Sequence, residues 1–137
     1  MAGRVTIAGF YEDVVPLTDA ERRAIAAIAS PDAQLRHELG LGWTEGGGAS
    51  LTELIHLPSL NVNGIRAADV GDNARNVIPT SATATLDLRL VLGQTPERQI
   101  DRVVAHIRAQ GYEVLDRDPT RAERLRRISI TTREVAR

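Results

Sequence analysis

Three imidazoles, His37, His56 and His106, are the first residues of this chain to weigh for metal chemistry. A hydrolytic metal site needs His and carboxylate ligands clustered around one open position. None of the three is followed at the next-but-one position by Asp, and none forms a His-x-x-x-His pair. His106 falls off the apolar stripe of its helix and is expected to face water, while His37 and His56 end short helices. Nucleophilic chemistry is no better provided for. Ser30 and Ser50 read as helix caps, Ser59 and Ser81 as strand residues, and no Gly-x-Ser-x-Gly elbow exists. Glu12 and Asp13 are adjacent in a turn and are expected to point apart, which does not suit a catalytic acid–base pair. No catalytic residue and no metal ligand is therefore assigned from these residues.

Arg89 stands out as a binding group. It lies near the end of a long alternating strand, on the polar face with Asp87 and Thr85. A guanidinium on a rigid strand suits a carboxylate, which it can hold through two parallel hydrogen bonds. The competing assignment is a surface ion pair, for example with Asp87. Asn73-Ala74-Arg75-Asn76 precedes the same strand and carries further donors. Gly46-Gly47-Gly48 lacks the spaced glycines and Lys-Ser/Thr of a phosphate cradle and reads as a plain loop.

The elements that must position these residues follow from pattern. At 137 residues the chain is one domain by length, 42% hydrophobic but only 3% aromatic, so its core must be aliphatic. A formal charge of −1 gives no argument for a nucleic-acid or membrane partner. All 17 basic residues are Arg, a bias better explained by GC-rich coding than by phosphate recognition. The absence of Cys excludes disulfides and thiolate metal sites. No apolar run approaches a membrane span, no signal-peptide pattern opens the chain, and a cytoplasmic location is the default.

Gly3 to Ala8 reads as a short strand. Thr18-Asp19-Ala20-Glu21 is a capping box opening a helix to about Ala29. Ser30-Pro31 restarts a helix that Gly40 ends, and Ser50-Leu51-Thr52-Glu53 caps a third. Ser59 to Ile65 is a strand with Leu60, Val62 and Gly64 on one side and Asn61, Asn63 and Ile65 on the other. Arg66 to Arg75 is a polar loop. Thr80 to Val91 alternates cleanly, with Ala82, Ala84, Leu86, Leu88 and Leu90 on one face. Thr95-Pro96-Glu97 opens a helix to about Gln110 with the stripe Ile100, Val103, Val104 and Ile107. Tyr112 to Leu115 is a last short strand. Thr120 to Arg137 holds six Arg against two Glu and reads as a solvated segment. The order of elements predicts an α+β fold of ferredoxin-like type, an antiparallel sheet with helices packed on one face.

Several short motifs in order carry a resemblance. They are Gly9-Phe10-Tyr11-Glu12-Asp13-Val14 with Pro16-Leu17-Thr18 and Glu21-Arg22, then Gly42-Trp43-Thr44-Glu45-Gly46 and Leu57 through Ile65. Asn76-Val77-Ile78-Pro79, Leu88-Arg89-Leu90-Val91 and Gln94-Thr95-Pro96-Glu97 complete them. From Gly3 to Asp118 the chain resembles the lid, or dimerisation, domain of the two-zinc metallopeptidase family of aminoacylases, glutamate carboxypeptidases and carnosine-type dipeptidases. The resemblance implies a zinc-binding catalytic domain into which a ferredoxin-like lid is inserted, and a homodimer formed through the lid. It implies that Arg89 binds the terminal carboxylate of a peptide or amide substrate, that Asn76 helps orient it, and that the lid closes over the substrate.

The departures from the family pattern set further expectations. The catalytic domain's His-x-Asp motif and glutamate pair do not occur in this chain, nor does the His-Ser-Gly stretch of the lid's first strand. The chain is thus expected to be a fragment. Residues 1–118 would be most of a lid lacking its first strand and helix, and residues 119–137 an Arg-rich segment leading towards a catalytic domain. No cofactor is expected in this chain, the two zinc ions belonging to that other domain. The alternatives are a stand-alone α+β dimerisation or binding module and a truncated gene product.

Overall fold

The computed structural model describes residues 3–44, 46–124 and 127–130. They form two compact units. Unit 1 gathers the described residues of Met1–Val5 and Val14–Gly93, and unit 2 those of Thr6–Asp13 and Gln94–Arg137.

Unit 1 opens with three helices, α1 (Asp19–Ala27), α2 (Asp32–Glu38) and α3 (Leu51–Leu54). Both expected capping boxes form. The Glu21 backbone N–H donates to Thr18 Oγ1 at 3.3 Å, and the Thr18 N–H donates back to Glu21 Oε2 at 2.7 Å. Ser50 and Glu53 repeat the exchange at 3.2 and 2.9 Å. Each box satisfies backbone donors that a helix start leaves without partners. The backbone hydrogen bond from Thr18 is also the main reason the Glu21 carboxyl titrates below its ordinary value. Helix α2 starts one residue later than its sequence suggests. Pro31 is its N-cap, and the Ser30 hydroxyl accepts from the Asp32 N–H at 3.3 Å. Asp32 in turn accepts from the Leu51 N–H at 3.0 Å, joining the first turn of α2 to that of α3. The glycine triplet between them is a turn. A Cβ on Gly46 would meet Leu54 Cδ1 at 2.8 Å, and Gly47 and Gly48 have φ of 58° and 108°, where side chains are disfavoured.

The sheet of unit 1 is an antiparallel pair, β1 (Ser59–Arg66) and β2 (Thr83–Arg89). Strand β2 is shorter at both ends than the alternating run. The register corrects the face assignment in β1. Leu60 opposes Leu88 and Val62 opposes Leu86, but beyond that point Gly64 opposes Thr85 and Ile65 opposes Ala84. A β-bulge at Asn63 adds one residue to β1, which switches the parity of every residue after it. Ile65 therefore joins Leu60 and Val62 on the apolar face, and Gly64 moves to the polar one. That apolar face is half open: Val62 is 54% exposed, Leu86 40% and Ile65 73%. Among the described residues of unit 1, Pro58 alone is buried.

The Gly3–Ala8 expectation is also corrected, since these residues, of which Thr6–Ala8 belong to unit 2, form no strand. The chain bends at Ile7 and turns from Ala8 to Asp13, with Gly9 at φ 77°. Repeated i→i+3 bonds, Phe10 N–H to Ile7 O and Glu12 N–H to Gly9 O, favour a compact turn over an extended strand. Helix α4 (Pro96–Ala109) carries the expected apolar stripe and begins with Pro at its first position. Strand β3 (Glu113–Leu115) pairs in parallel with β4 (Arg127–Ser129), a strand inside the segment read from sequence as solvated. The rest of that Arg-rich tail, residues 131–137, lies outside the described residues. The α+β class and the antiparallel pairing of the central strands stand as the sequence indicates.

Candidate functional site

Arg89 is the last residue of β2 and pairs in register with Ser59, the first of β1. Its guanidinium Nε sits 3.3 Å from Asp87 Oδ2, two positions back on the same face. Both expectations for Arg89 thus bear on one geometry. The ion pair with Asp87 exists, but the Arg89 side chain is 72% exposed and its contact is through Nε. An exposed pair of this kind contributes about 0–1 kcal/mol. It does not enclose the guanidinium, which at this exposure is open to a planar anion.

Asn76 lies in the connection between Arg66 and Thr83, the two residues that close the other end of the hairpin. A short 3-10 turn, Gly71–Asn73, lies within this connection. The Val77 N–H then donates to Arg75 O at 2.9 Å, so Asn76 is the central residue of a three-residue γ-turn. Asn76 is exposed, as are Val77 at 67% and Ile78 at 93%. At about 3.3 Å per residue, β2 spans roughly 20 Å between Thr83 and Arg89. No hydrogen bond joins Arg89 to Asn76 among the described residues. The loop of Asn76 leaves from one end of the hairpin, and Arg89 stands at the other.

The imidazoles are dispersed. His37 lines a shallow, open depression of about 440 Å³ with Ala33, Arg36, Gly40 and Leu41. His56 is exposed after α3, and His106 is half-buried on α4, less open than its off-stripe position suggests. Among the described residues no three His, Cys, Asp or Glu side chains stand close enough to hold a metal ion.

Glu12 and Asp13 do not point apart. Arg102 Nη2 lies 2.6 Å from Asp13 Oδ2 and 3.9 Å from Glu12 Oε2, and Arg98 Nη1 lies 3.1 Å from Asp13 Oδ1. Arg98 and Arg102 are four residues apart on α4, so they share a face and converge on one carboxylate. Beside them the Phe10 carbonyl accepts from Gln94 Nε2 at 2.8 Å and from Gln99 Nε2 at 3.2 Å. Gln99 and the Phe10 ring are each 1% exposed. Sequence reading missed this cluster. Its one local signal is the polar set Arg98, Gln99 and Arg102 flanking the aliphatic stripe. The cluster is a clamp that fixes the Gly9–Asp13 turn to α4: two guanidiniums neutralise the part-buried Asp13 carboxylate, while Glu12 stands exposed at its rim.

Comparison with known proteins sets these features in a family. Residues 19–114 match the family described as the peptidase dimerisation domain. An M20 family metallo-carboxypeptidase from Sulfolobus solfataricus superposes with a TM-score of 0.68 at 30% identity, over 81% of this chain and 30% of that one. The di-peptidase Dug1p from Saccharomyces cerevisiae gives 0.63 at 26% identity, over 79% and 23%. Human carnosine dipeptidase 1 gives 0.66 at 24% identity, over 78% and 23%, a likeness of fold. The chain therefore spans less than a third of the length of each of these enzymes. With the family match covering more than half of the chain, and an α+β fold shared with M20 metallopeptidases, the chain belongs to the peptidase dimerisation domain family.

Proposed function

We propose that this chain is the lid and dimerisation part of a cytoplasmic, metal-dependent peptidase of the dipeptidase-like branch. Its parent would cleave a peptide or amide bond next to a free carboxylate. The observation that carries the reading is Arg89, exposed at the end of β2 and paired there with Asp87 through Nε. There it would bind the substrate carboxylate through two charge-assisted hydrogen bonds, the chemistry a metallo-carboxypeptidase or dipeptidase requires of its terminal anchor. The partners in this reading are a catalytic domain outside these 137 residues and a second copy of the chain. Two zinc ions would belong to that domain. In this reading the chain's own contribution is to bind, orient and cover the substrate.

The position of Asn76 supports a second copy as part of the site in this reading. With Arg89 and the Asn76 loop leaving opposite ends of one hairpin, a single copy does not readily offer both to one carboxylate. In a homodimer, Arg89 of one copy and Asn76 of the other would share it. The half-open apolar face of the β1–β2 pair supports a chain that is covered by further protein.

The test compares a dipeptide with its C-terminal amide in the full-length parent, as wild type and as Arg89→Ala. Losing one charge-assisted anchor of about 1.5–3 kcal/mol lowers kcat/KM for the free acid roughly 10- to 150-fold. The amide, which lacks the charge, should lose far less. An unchanged ratio of acid to amide in Arg89→Ala would remove Arg89 from the site.

A further inference from the structure

The bulge in β1 falls on a dipeptide with chemistry of its own. Asn63 is the extra residue between the pairs Val62–Leu86 and Gly64–Thr85, and Gly64 follows it. When Asn precedes Gly, the backbone nitrogen of the glycine can attack the Asn side-chain carbonyl carbon. The new C–N bond closes a five-membered succinimide, and the side-chain nitrogen leaves as ammonia. Water then adds to either ring carbonyl and opens it, giving an aspartyl or an isoaspartyl residue. The net reaction consumes one water and converts an amide to a carboxylate plus ammonium, with no oxidant and no further reactant.

Three features make this peptide the reactive one. A regular antiparallel ladder holds both residues extended, which opposes ring closure, and the bulge interrupts the ladder here. Asn63 and Gly64 are both exposed, so water and hydroxide reach them. Gly64 has no side chain to hinder attack by its nitrogen, and beyond its chain neighbours nothing lies within 4 Å of where a Cβ would stand. The other asparagines supply internal controls. Asn61 and Asn76 precede the β-branched Val62 and Val77, and Asn73 precedes Ala74. Asn61 also lies in the same strand but in the regular ladder, opposite Asp87.

We propose that Asn63 is a site of spontaneous deamidation in the folded chain, yielding a mixture of aspartyl and isoaspartyl forms. Each conversion adds one negative charge next to the connection that holds Asn76. The isoaspartyl form also adds a backbone methylene at the residue that sets the parity of β1. It is thus a substrate for an enzyme that methylates isoaspartyl carboxylates.

The test incubates the folded chain in mildly alkaline buffer and follows peptide masses and isoaspartyl content by methyl transfer. A chain held unfolded in urea is the reference. The expected result is the amide-to-acid mass shift in the peptide containing residue 63, with Asn61 in that peptide unchanged. Gly64→Val and Asn63→Gln should each abolish the shift, and the unfolded Gly64→Val chain shows whether any loss is intrinsic to the dipeptide. If the unfolded chain converts and the folded one does not, the bulge protects the peptide and the proposal is overturned. Conversion at Asn61 matching that at Asn63 would overturn it as well.

Discussion

Replacing Phe10 by Ala should do more damage than any other single truncation in unit 2. The ring is 1% exposed and stacks edge-on against Tyr11, with centroids 5.2 Å apart and planes at 75°. Phe→Ala in a packed site costs about 3–5 kcal/mol. Unit 2 comprises Thr6–Asp13 and Gln94–Arg137, and at roughly 0.05–0.15 kcal/mol per residue its whole stability is only about 3–8 kcal/mol. One side chain is thus a large share of what keeps this unit folded. The assay is hydrogen exchange read by mass spectrometry, peptide by peptide. In Phe10→Ala the amides of α4 should lose nearly all protection, while those of β1 and β2, in unit 1, should keep theirs. Trp43→Ala is the comparison. Trp43 is 63% exposed, and its loss should stay within about 0.5 kcal/mol. The reasoning fails if Phe10→Ala costs under about 1 kcal/mol in urea unfolding, or if α4 exchanges no faster.

Asp13→Ala should destabilise unit 2 by about 1–3 kcal/mol, because it leaves the 14%-exposed Arg102 side chain without its nearest counter-charge. Adding Arg102→Met to Asp13→Ala should recover part of the loss, and a purely additive double-mutant cycle would refute the coupling. Acid should act on the Arg121–Glu123 turn. Hydrogen bonds from Arg117, and then from Thr120, hold the Glu123 carboxyl down to about 2 from its ordinary value near 4.5. A depressed carboxylate stabilises the fold fully above about 4.5, and the contribution is lost as pH falls through about 2. A carboxyl resonance of Glu123 titrating near 4.5 by NMR would contradict this.

What could be read from the chain depended on how local each signal was. Thr18–Glu21 and Ser50–Glu53 exchange hydrogen bonds over three residues, so their boxes are visible in the letters alone. The α4 stripe and the β2 alternation are equally local. Parity in β1 was misjudged because a bulge is a relation between two strands. Only the register shows it, with Gly64 opposite Thr85 and Ile65 opposite Ala84, although Gly inside a strand is a known hint. The clamp on Phe10 was invisible for a stronger reason: its partners, Gln94 and Gln99, are 84 and 89 residues away. The Arg89–Asp87 contact was legible because strand alternation places i and i+2 on one face. The Asn76 loop lies at the far end of the hairpin from Arg89 by connectivity alone, since it joins the end of β1 to the start of β2.

The two units are nested in sequence, and this bears on how the chain reaches its native state. Val14–Gly93 is spliced into unit 2, whose Gly9–Asp13 turn is made long before α4 is. Joining ends across a flexible loop of about 80 residues costs roughly 4 kcal/mol of entropy by the logarithmic law, a large share of what a unit this small can gain. Within unit 1, however, the Val15 N–H donates to Leu92 O at 3.1 Å. That bond fastens the two points where the chain enters and leaves the insert. Once the insert has folded, most of the closure cost is already met, and the early turn and the late helix become near neighbours along an effectively short tether. During synthesis Phe10 must therefore wait, solvent-exposed, until the insert is complete and α4 has emerged. This makes the interval before α4 appears the time at which a nascent chain is most open to capture by chaperones or by other chains.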